Sequence, residues 1–564
     1  MNRHLPTVAT VQHDPTVGAV VANRDSLLDG IETAVNRGAQ LVVTPELGLL
    51  GYPPRDLLHR DATLAAERAA VDDLRAATDS EPAFTLVVGH TAPNPDDEGP
   101  PLVNVASVFR DGDRVARYQK RLLPTYDVFD EHRYFDPGGE PATVAVGDSE
   151  VGLTICEDAW YDHEVTGQRR HGANPIADYE GVDLLVNISA SPFHAGKPGE
   201  RETRFAGHAT DVDAPVVFAN QFGGNDDLLF DGASFVVDAT GEPVARSPFG
   251  ETGVTVVDWD DAASDPPVAE PRNKTAQLRR MLGVGIRDYV SKTGFDRVIV
   301  GLSGGIDSSV TAALAAEALG PEQVHGVMLP SRITAESSRT DAAGVADGLG
   351  IRFGEAGIGE VVTAFEGAVG ELSDREELAG ITRENLQARA RGTVLMGLAN
   401  DERALVLTPD NKSEAAVGYC TLYGDAVGAI APLGDCTKRR VYELAHSFNA
   451  DPPAGATETP IPTRVLEKAP TAELAEDQSD EDDIPPYDVI DAVVERYVGD
   501  KESIAEIVAD TDATREQVET VIRRLTRSEF KREQTPPALR VTRKAFDSGW
   551  RYPIAASYDA LFEE

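Results

Sequence analysis

Short apolar runs bounded by polar or glycine-containing stretches recur through roughly the first 260 residues. TVATVQHD, AQLVVTPEL, FTLVVGH, VNVASVFRDG, VGLTICED, DLLVNIS, PVVFANQFG and GASFVVDATG have the length and β-branched content of strands, and RDSLLDGIETAVNRG has the apolar spacing of a helix. From Lys274 the chain reads as a helix, AQLRRMLGVGIRDYVSKTG, and then as the strands Val298-Ile299-Val300, VHGVMLP, IRFGEAGI and ALVLTPD alternating with helix-prone stretches. Such alternation predicts a parallel sheet with helices on both faces, whose ligands gather at the carboxyl ends of the strands. The tail from Tyr487 reads as mostly helical. Between the halves, VDWDDAASDPPVAEPRN is acidic, rich in Pro and Ala, and without periodicity, which marks a linker. The expected division is an α/β domain over 1–260, a linker over 261–273 and a second α/β domain over 274–564. The acidic segment AEDQSDEDDIPP is the low-complexity candidate within the second.

Composition narrows the function classes. A chain of 564 residues with 41% hydrophobic content exceeds one ordinary domain and can bury several cores. No apolar run approaches the ~18 residues of a membrane span, and the first residues lack the charged-then-apolar order of a leader, so a cytoplasmic protein is expected. Three cysteines cannot build a disulfide framework, so any that matters acts as a thiol. The formal net charge of −43, with ten Lys among 52 basic residues against 95 acidic ones, is spread along the chain. An acidic surface of this kind excludes nucleic acid as a partner. It is expected of a protein adapted to molar salt, where screening within about 3 Å removes self-repulsion.

The run from Gly301 through Leu302, Ser303, Gly304, Gly305, Ile306, Asp307 and Ser308 to Ser309 leaves a buried-type strand and enters the Ala-rich stretch TAALAAEALG. Backbone N–H groups at such a strand-to-helix turn form a seat for phosphate. No Lys follows the glycines, so this is not a GxxxxGK[ST] loop. It resembles the SGGxDS loop of the N-type ATP pyrophosphatases, which split ATP to AMP and pyrophosphate while adenylating an acid or amide oxygen.

A second chemistry stands in the first half. Glu46 follows LVVTP, Lys120 follows RVARYQ and Cys156 ends VGLTI, so all three lie near strand termini, which converge in an α/β fold. An ammonium beside a thiol is expected to lower its pKa, and a carboxylate to take its proton. Lys120 is also suited to hold the oxyanion formed when a thiolate attacks an amide.

PELGLLGYPPRDLL, YQKRLLPTYDVFDEHRYFDPG, ICEDAWY and NISASPFHAGK resemble the carbon-nitrogen hydrolase (nitrilase) superfamily. That resemblance implies an αββα sandwich with Glu46 as general base, Lys120 as oxyanion stabiliser, Cys156 as nucleophile and Glu131 as an additional glutamate. It also implies that Tyr126, Ser191 and Lys197 hold glutamine, although SASPFHAGK offers Ser189 as well as Ser191. A glutaminase upstream of an adenylating loop is the pattern of an amidotransferase. In the second half, ENLQARARG, LTPDNKSEAAVGYCTLYGD, QSDEDDIPPYDVID and SEFKREQTPP resemble the glutamine-dependent NAD(+) synthetases. This family amidates the nicotinate carboxylate of deamido-NAD after adenylating it.

The resemblance implies a Rossmann-like adenylating domain in which the loop from Gly301 to Ser309 and Thr408 hold ATP. Asn385, Glu414 and Lys531 would contact deamido-NAD, Asp307 and Glu414 would ligate magnesium, and the acidic run near Asp480 would be a lid. A homo-oligomer is also implied. Within enzymes the alternative is a glutamine-dependent ligase of the same ATP-loop type acting on a different carboxylate. Outside enzymes it is a scaffold or nucleotide sensor, which has no physical reason to keep Cys156, Lys120, Glu46, Asp307 and Glu414 together.

Overall fold

A computed structural model describes residues 4–563 apart from 81, 97, 163, 166–167, 260–272, 376, 472–479 and 481–482. The linker expected over 261–273 lies, except for Asn273, outside the described residues. So does most of the acidic segment 475–486, of which 480 and 483–486 are described. The chain forms two compact units, Met1–Lys274 and Thr275–Glu564.

The first unit contains two six-stranded sheets. One runs in the order Gly253–Val257, Val8–Gln12, Leu41–Val43, Thr85–Pro93, Leu102–Arg110, Asp113–Gln119. The other runs Pro243–Arg246, Phe235–Val237, Val216–Asn220, Leu184–Ser189, Ser149–Ile155, Thr143–Val146. The central strands of each pair in parallel. Their two-residue period explains the layers. Leu41, Val43 and Val87 point inward and pack with Ile155, Val186 and Ile188 of the facing sheet. Val42, Leu86 and Val88 point outward against Leu27 and Ile31 of the helix Val20–Asn36 and Leu74 of the helix Asp61–Ala77. On the far side, Val216 and Phe218 meet Phe205 and Ala209 of the helix Lys197–Val212. The result is the expected αββα sandwich, in which the central strands of both sheets are buried on both faces.

In the second unit, a four-stranded parallel sheet runs Arg352–Glu355, Val324–Met328, Val298–Gly301, Leu405–Leu407. Ile299, Val327 and Val406 pack on Val362 and on Ala390, Leu395 and Ala399 of the helix Gly380–Glu402. The tail builds its own core from the helices Tyr487–Val493, Ile504–Asp510 and Arg515–Arg527, with Ile490, Ile507, Val518, Ile522 and Leu525 buried together. Two of these helices open on capping boxes, Ser503 with Glu506 and Thr514 with Gln517. Beyond Arg532 the chain is largely irregular, because Pro536, Pro537 and Pro553 remove backbone donors there. No helix among the described residues is long and apolar enough to cross a membrane.

Candidate active sites

In the first unit, Glu46, Lys120, Glu131 and Cys156 converge on one buried point. Lys120 leaves the strand Asp113–Gln119 fully buried, and its Nζ donates to Glu46 Oε1 at 2.7 Å and to Glu131 Oε1 at 2.8 Å. Glu46 is fixed by two further donors, Asn104 Nδ2 at 2.7 Å on Oε1 and the Ala190 N–H at 2.9 Å on Oε2. Glu131 Oε1 also accepts from the Tyr52 hydroxyl at 2.9 Å, while its Oε2 is a buried acceptor without a partner among the described residues. Burial alone would lower the Lys120 pKa, but Glu131 and Glu46 reverse that and hold the ammonium well above its ordinary value. Burial pushes Glu131 up to about 7, with Lys120 opposing and Glu46 adding to the rise.

Cys156 sits where the strand Ser149–Ile155 turns into the short 3₁₀ helix Cys156–Trp160, at a φ of 43° that a β-carbon disfavours. The expectation of a lowered thiol pKa is not met. Burial pushes the thiol up, Glu46 adds to this, and Lys120 opposes without prevailing because Glu131 and Glu157 also contribute negative charge. These effects favour the neutral thiol over the thiolate at Cys156.

The expected glutamine contacts are distributed around this point. The Tyr126 hydroxyl donates to both oxygens of Glu157, at 3.1 and 3.0 Å, and the Arg170 guanidinium lies 3.8 Å from the centre of its ring. Glu157, next to the nucleophile, also pairs with His171 Nε2 at 2.8 Å. Ser189 spends its hydroxyl on Asn187 Oδ1 at 2.7 Å, whereas Ser191 bonds Asn220 through its backbone N–H at 2.8 Å. Of the two serines, Ser191 thus keeps its hydroxyl out of that exchange. Lys197 opens the helix Lys197–Val212 and donates to the Pro192 carbonyl at 2.6 Å.

In the second unit, the strand Val298–Gly301 feeds a turn and then the helix Ile306–Leu319. Gly304 adopts a φ of +79°, and a Cβ there would lie 2.3 Å from the Ser338 carbonyl oxygen, so glycine is required on both counts. Ser308 and Ser309 turn their hydroxyls back onto the Gly305 carbonyl at 3.1 and 2.7 Å and brace the loop. Asp307 accepts from Asn411 Nδ2 at 2.8 Å and from Lys438 Nζ at 2.7 Å. The same ammonium donates to Glu414 Oε1 at 3.0 Å. The Tyr487 hydroxyl, which also reaches Asp480 at 2.9 Å, lies 3.2 Å from that oxygen.

Burial raises Glu414 to about 7 against the pull of Lys438, and Asp307 adds to the rise. Asp410 is held well above the carboxylate range by burial and by the charges of Asp425, Glu414 and Asp307. These groups line a cavity of about 250 Å³ with Gly301, Ser303 and Gly305 at the strand ends.

Five expected residues, Gly304, Ser309, Thr408, Asn385 and Lys531, are not on that wall. Thr408 donates its hydroxyl to the Val427 carbonyl at 2.9 Å. Asn385 Oδ1 accepts from Thr421 at 2.8 Å. Lys531 donates to the carbonyls of Gly418 and Cys420, both at 2.7 Å. Conversely, the sequence reading passed over Lys438, Asp410 and Asn411. Asp410 and Asn411 stand directly after the strand Leu405–Leu407, inside a motif already noted. Lys438 carried a subtler signal: it opens the helix Lys438–Ala450, where the macrodipole disfavours a cation, so a lysine there calls for local carboxylates.

Residues 7–265 match the family model of carbon-nitrogen hydrolases, and residues 279–535 that of NAD synthases. The chain is 39% identical over 561 residues to the glutamine-dependent NAD(+) synthetase of a Synechocystis strain, covering 98% of this chain and 99% of that protein. The structure of glutamine-dependent NAD+ synthetase from Acinetobacter baumannii in complex with ADP matches with a TM-score of 0.75 and 35% identity, over 97% of this chain and 98% of that one. A glutamine-dependent NAD(+) synthetase structure from Cytophaga hutchinsonii shares the fold, with a TM-score of 0.81 at 21% identity over 98% of each chain.

Proposed function

The chain belongs to the glutamine-dependent NAD(+) synthetases, and we propose that its two sites divide that reaction between the residues gathered above. The observation that carries the assignment is the joint presence of a buried carboxylate-ammonium-thiol cluster and a glycine turn whose aspartate meets Lys438 and, through it, Glu414.

In the first unit, 1–260 by this reading, the Cys156 sulfur attacks the glutamine amide carbon as Glu46 accepts the thiol proton. The Lys120 ammonium, held between two carboxylates, faces the oxygen that gains charge. The proton taken by Glu46 then passes to the departing nitrogen, ammonia leaves, and a thioester remains. Water, deprotonated by the same carboxylate, releases glutamate. Tyr126, Ser191 and Lys197 orient the substrate, and Glu131 keeps Lys120 charged and in place.

In the second unit, 274–564 by this reading, the loop from Gly301 to Ser309 seats the triphosphate of ATP. The nicotinate carboxylate of deamido-NAD attacks the α-phosphorus and displaces pyrophosphate. Ammonia then attacks the acyl carbon, and NAD and AMP are released. Asp307, Glu414 and Asp410 form a buried excess of hard oxygen donors, which fits a divalent cation. No group of three such donors is preassembled among the described residues, so Asp307 and Glu414 would hold magnesium together with phosphate oxygens. Bound there, magnesium neutralises charge on the leaving pyrophosphate. Lys438 supplies fixed positive charge at the same place. Thr408 would also hold ATP, and Asn385 and Lys531 would contact deamido-NAD, beside the bonds they make to Val427, Thr421, Gly418 and Cys420.

Incubation with ATP, magnesium, glutamine and deamido-NAD is expected to yield AMP, pyrophosphate and NAD in equal amounts. AMP formed only with a different acid would favour a ligase acting on another carboxylate. The enzyme is further proposed to be cytoplasmic and, from the family resemblance, a homo-oligomer; adaptation to molar salt is proposed from its net charge of −43. The midpoint of thermal unfolding is expected to rise steadily from dilute buffer to molar KCl, and equal stability in both would sink the salt reading.

A further inference from the structure

We propose that Asp158 is a positioning residue of the glutaminase site, a buried carboxylate that ties the turn bearing Cys156 to the segment bearing Lys120. Its side chain is fully buried and accepts four hydrogen bonds. Oδ2 receives the Tyr118 hydroxyl at 2.8 Å and the Ile155 N–H at 2.9 Å. Oδ1 receives the N–H groups of Leu122 at 2.9 Å and Arg121 at 3.1 Å. Four donors match the roughly four lone-pair sites of an ionised carboxylate.

Three of the donors, Tyr118, Arg121 and Leu122, flank Lys120, and the fourth, Ile155, precedes Cys156. The two segments leave different sheets, Lys120 from the strand Asp113–Gln119 and Cys156 from the strand Ser149–Ile155. Asp158 therefore bridges the sandwich at the level of the reacting groups. It also pins the residue before Cys156, whose positive φ would otherwise relax. None of these four bonds is to Glu46, Lys120 or Cys156 itself, so Asp158 acts through the backbone of the residues after Lys120 and before Cys156 and through the Tyr118 hydroxyl.

The inference rests on Glu46, Lys120 and Cys156 being the glutaminase residues. An amide in place of the carboxylate would turn an N–H₂ toward two of the four donors and break those bonds. Misplacement on the ångström scale costs about 10²-fold in rate. In the full-length enzyme, Asp158→Asn is expected to lower kcat for glutamine hydrolysis about 100-fold and to leave KM for glutamine within about twofold. Alkylation of Cys156 by iodoacetamide should slow in parallel, and ammonium-driven NAD synthesis should be retained. Tyr118→Phe removes a single donor without changing shape and is expected to give a smaller loss, about tenfold, of the same kind.

Unchanged kcat and alkylation in both variants, or a rise in KM alone, would overturn the proposal. If Asp158→Asn loses the thermal transition of the first unit, Tyr118→Phe decides by the same two readouts. Cys156→Ala measured alongside separates the two readings: hydrolysis surviving in it refutes the triad, whereas its loss beside fully active Asp158→Asn and Tyr118→Phe refutes only the role of Asp158.

Discussion

Cys156→Ala is expected to abolish NAD synthesis from glutamine and to leave synthesis from added ammonium salts at the wild-type rate. In the proposed route the sulfur forms the thioester and neither Glu46 nor Lys120 can replace it, so hydrolysis should fall by roughly 10⁴-fold or more. The substitution removes one buried sulfur from a position that already disfavours a β-carbon, and alanine fits where cysteine did. Adenylation and amidation are proposed to depend on residues of the second unit, and added ammonium supplies the nitrogen for the amidation. The measurement is NAD formed per minute with each nitrogen source. Loss of both activities would contradict a division of labour between two sites, and retention of both would remove Cys156 from the reaction.

Asp307→Ala is expected to have the complementary effect, stopping AMP and pyrophosphate formation with either nitrogen source. Asp307 accepts from both Asn411 and Lys438 and stands one residue after the start of the helix that seats phosphate. Without it, the charge balance of the cavity shifts toward Lys438, and one of the two oxygen ligands expected for magnesium is gone. Removing one such electrostatic element at the reacting phosphate typically costs about 10²- to 10³-fold. Asp307→Asn keeps the shape and one acceptor oxygen but loses the charge, so its activity should fall nearly as far while its unfolding midpoint stays closer to wild type. Normal pyrophosphate release by both variants would show that Asp307 takes no part in adenylation.

Much of this arrangement was legible in the sequence because it is local. The turn from Gly301 to Ser309 needs Gly304 for its positive φ and for the approach of Ser338, and such constraints leave a contiguous trace. Glu46, Lys120 and Cys156 each follow a strand-like run, and the αββα layers bring those strand ends together. What escaped the sequence reading depends on long-range contact. Lys438 lies 131 residues from Asp307 and 24 from Glu414, and neither spacing marks a pair. The four bonds of Asp158 join segments that only the facing of two sheets makes adjacent.

The raised thiol pKa was misjudged for a related reason. The sequence places one ammonium and one carboxylate near Cys156; the fold adds burial and two further carboxylates, Glu131 and Glu157, which together outweigh Lys120. The bonds that Asn385, Thr408 and Lys531 make within the fold are equally out of reach of the sequence. Their polar atoms are engaged by Thr421, Val427, Gly418 and Cys420, partners that residue type alone does not reveal.

Transfer of nitrogen from the cysteine site to an adenylated nicotinate is tested most directly by the same incubation carried out with amide-¹⁵N glutamine, ATP, magnesium and deamido-NAD in ammonium-free buffer. The expected product is NAD carrying ¹⁵N in its carboxamide, with one AMP released for each NAD formed. Deamido-NAD recovered unchanged while ¹⁵N-ammonia accumulates and AMP appears only with another acid would contradict it.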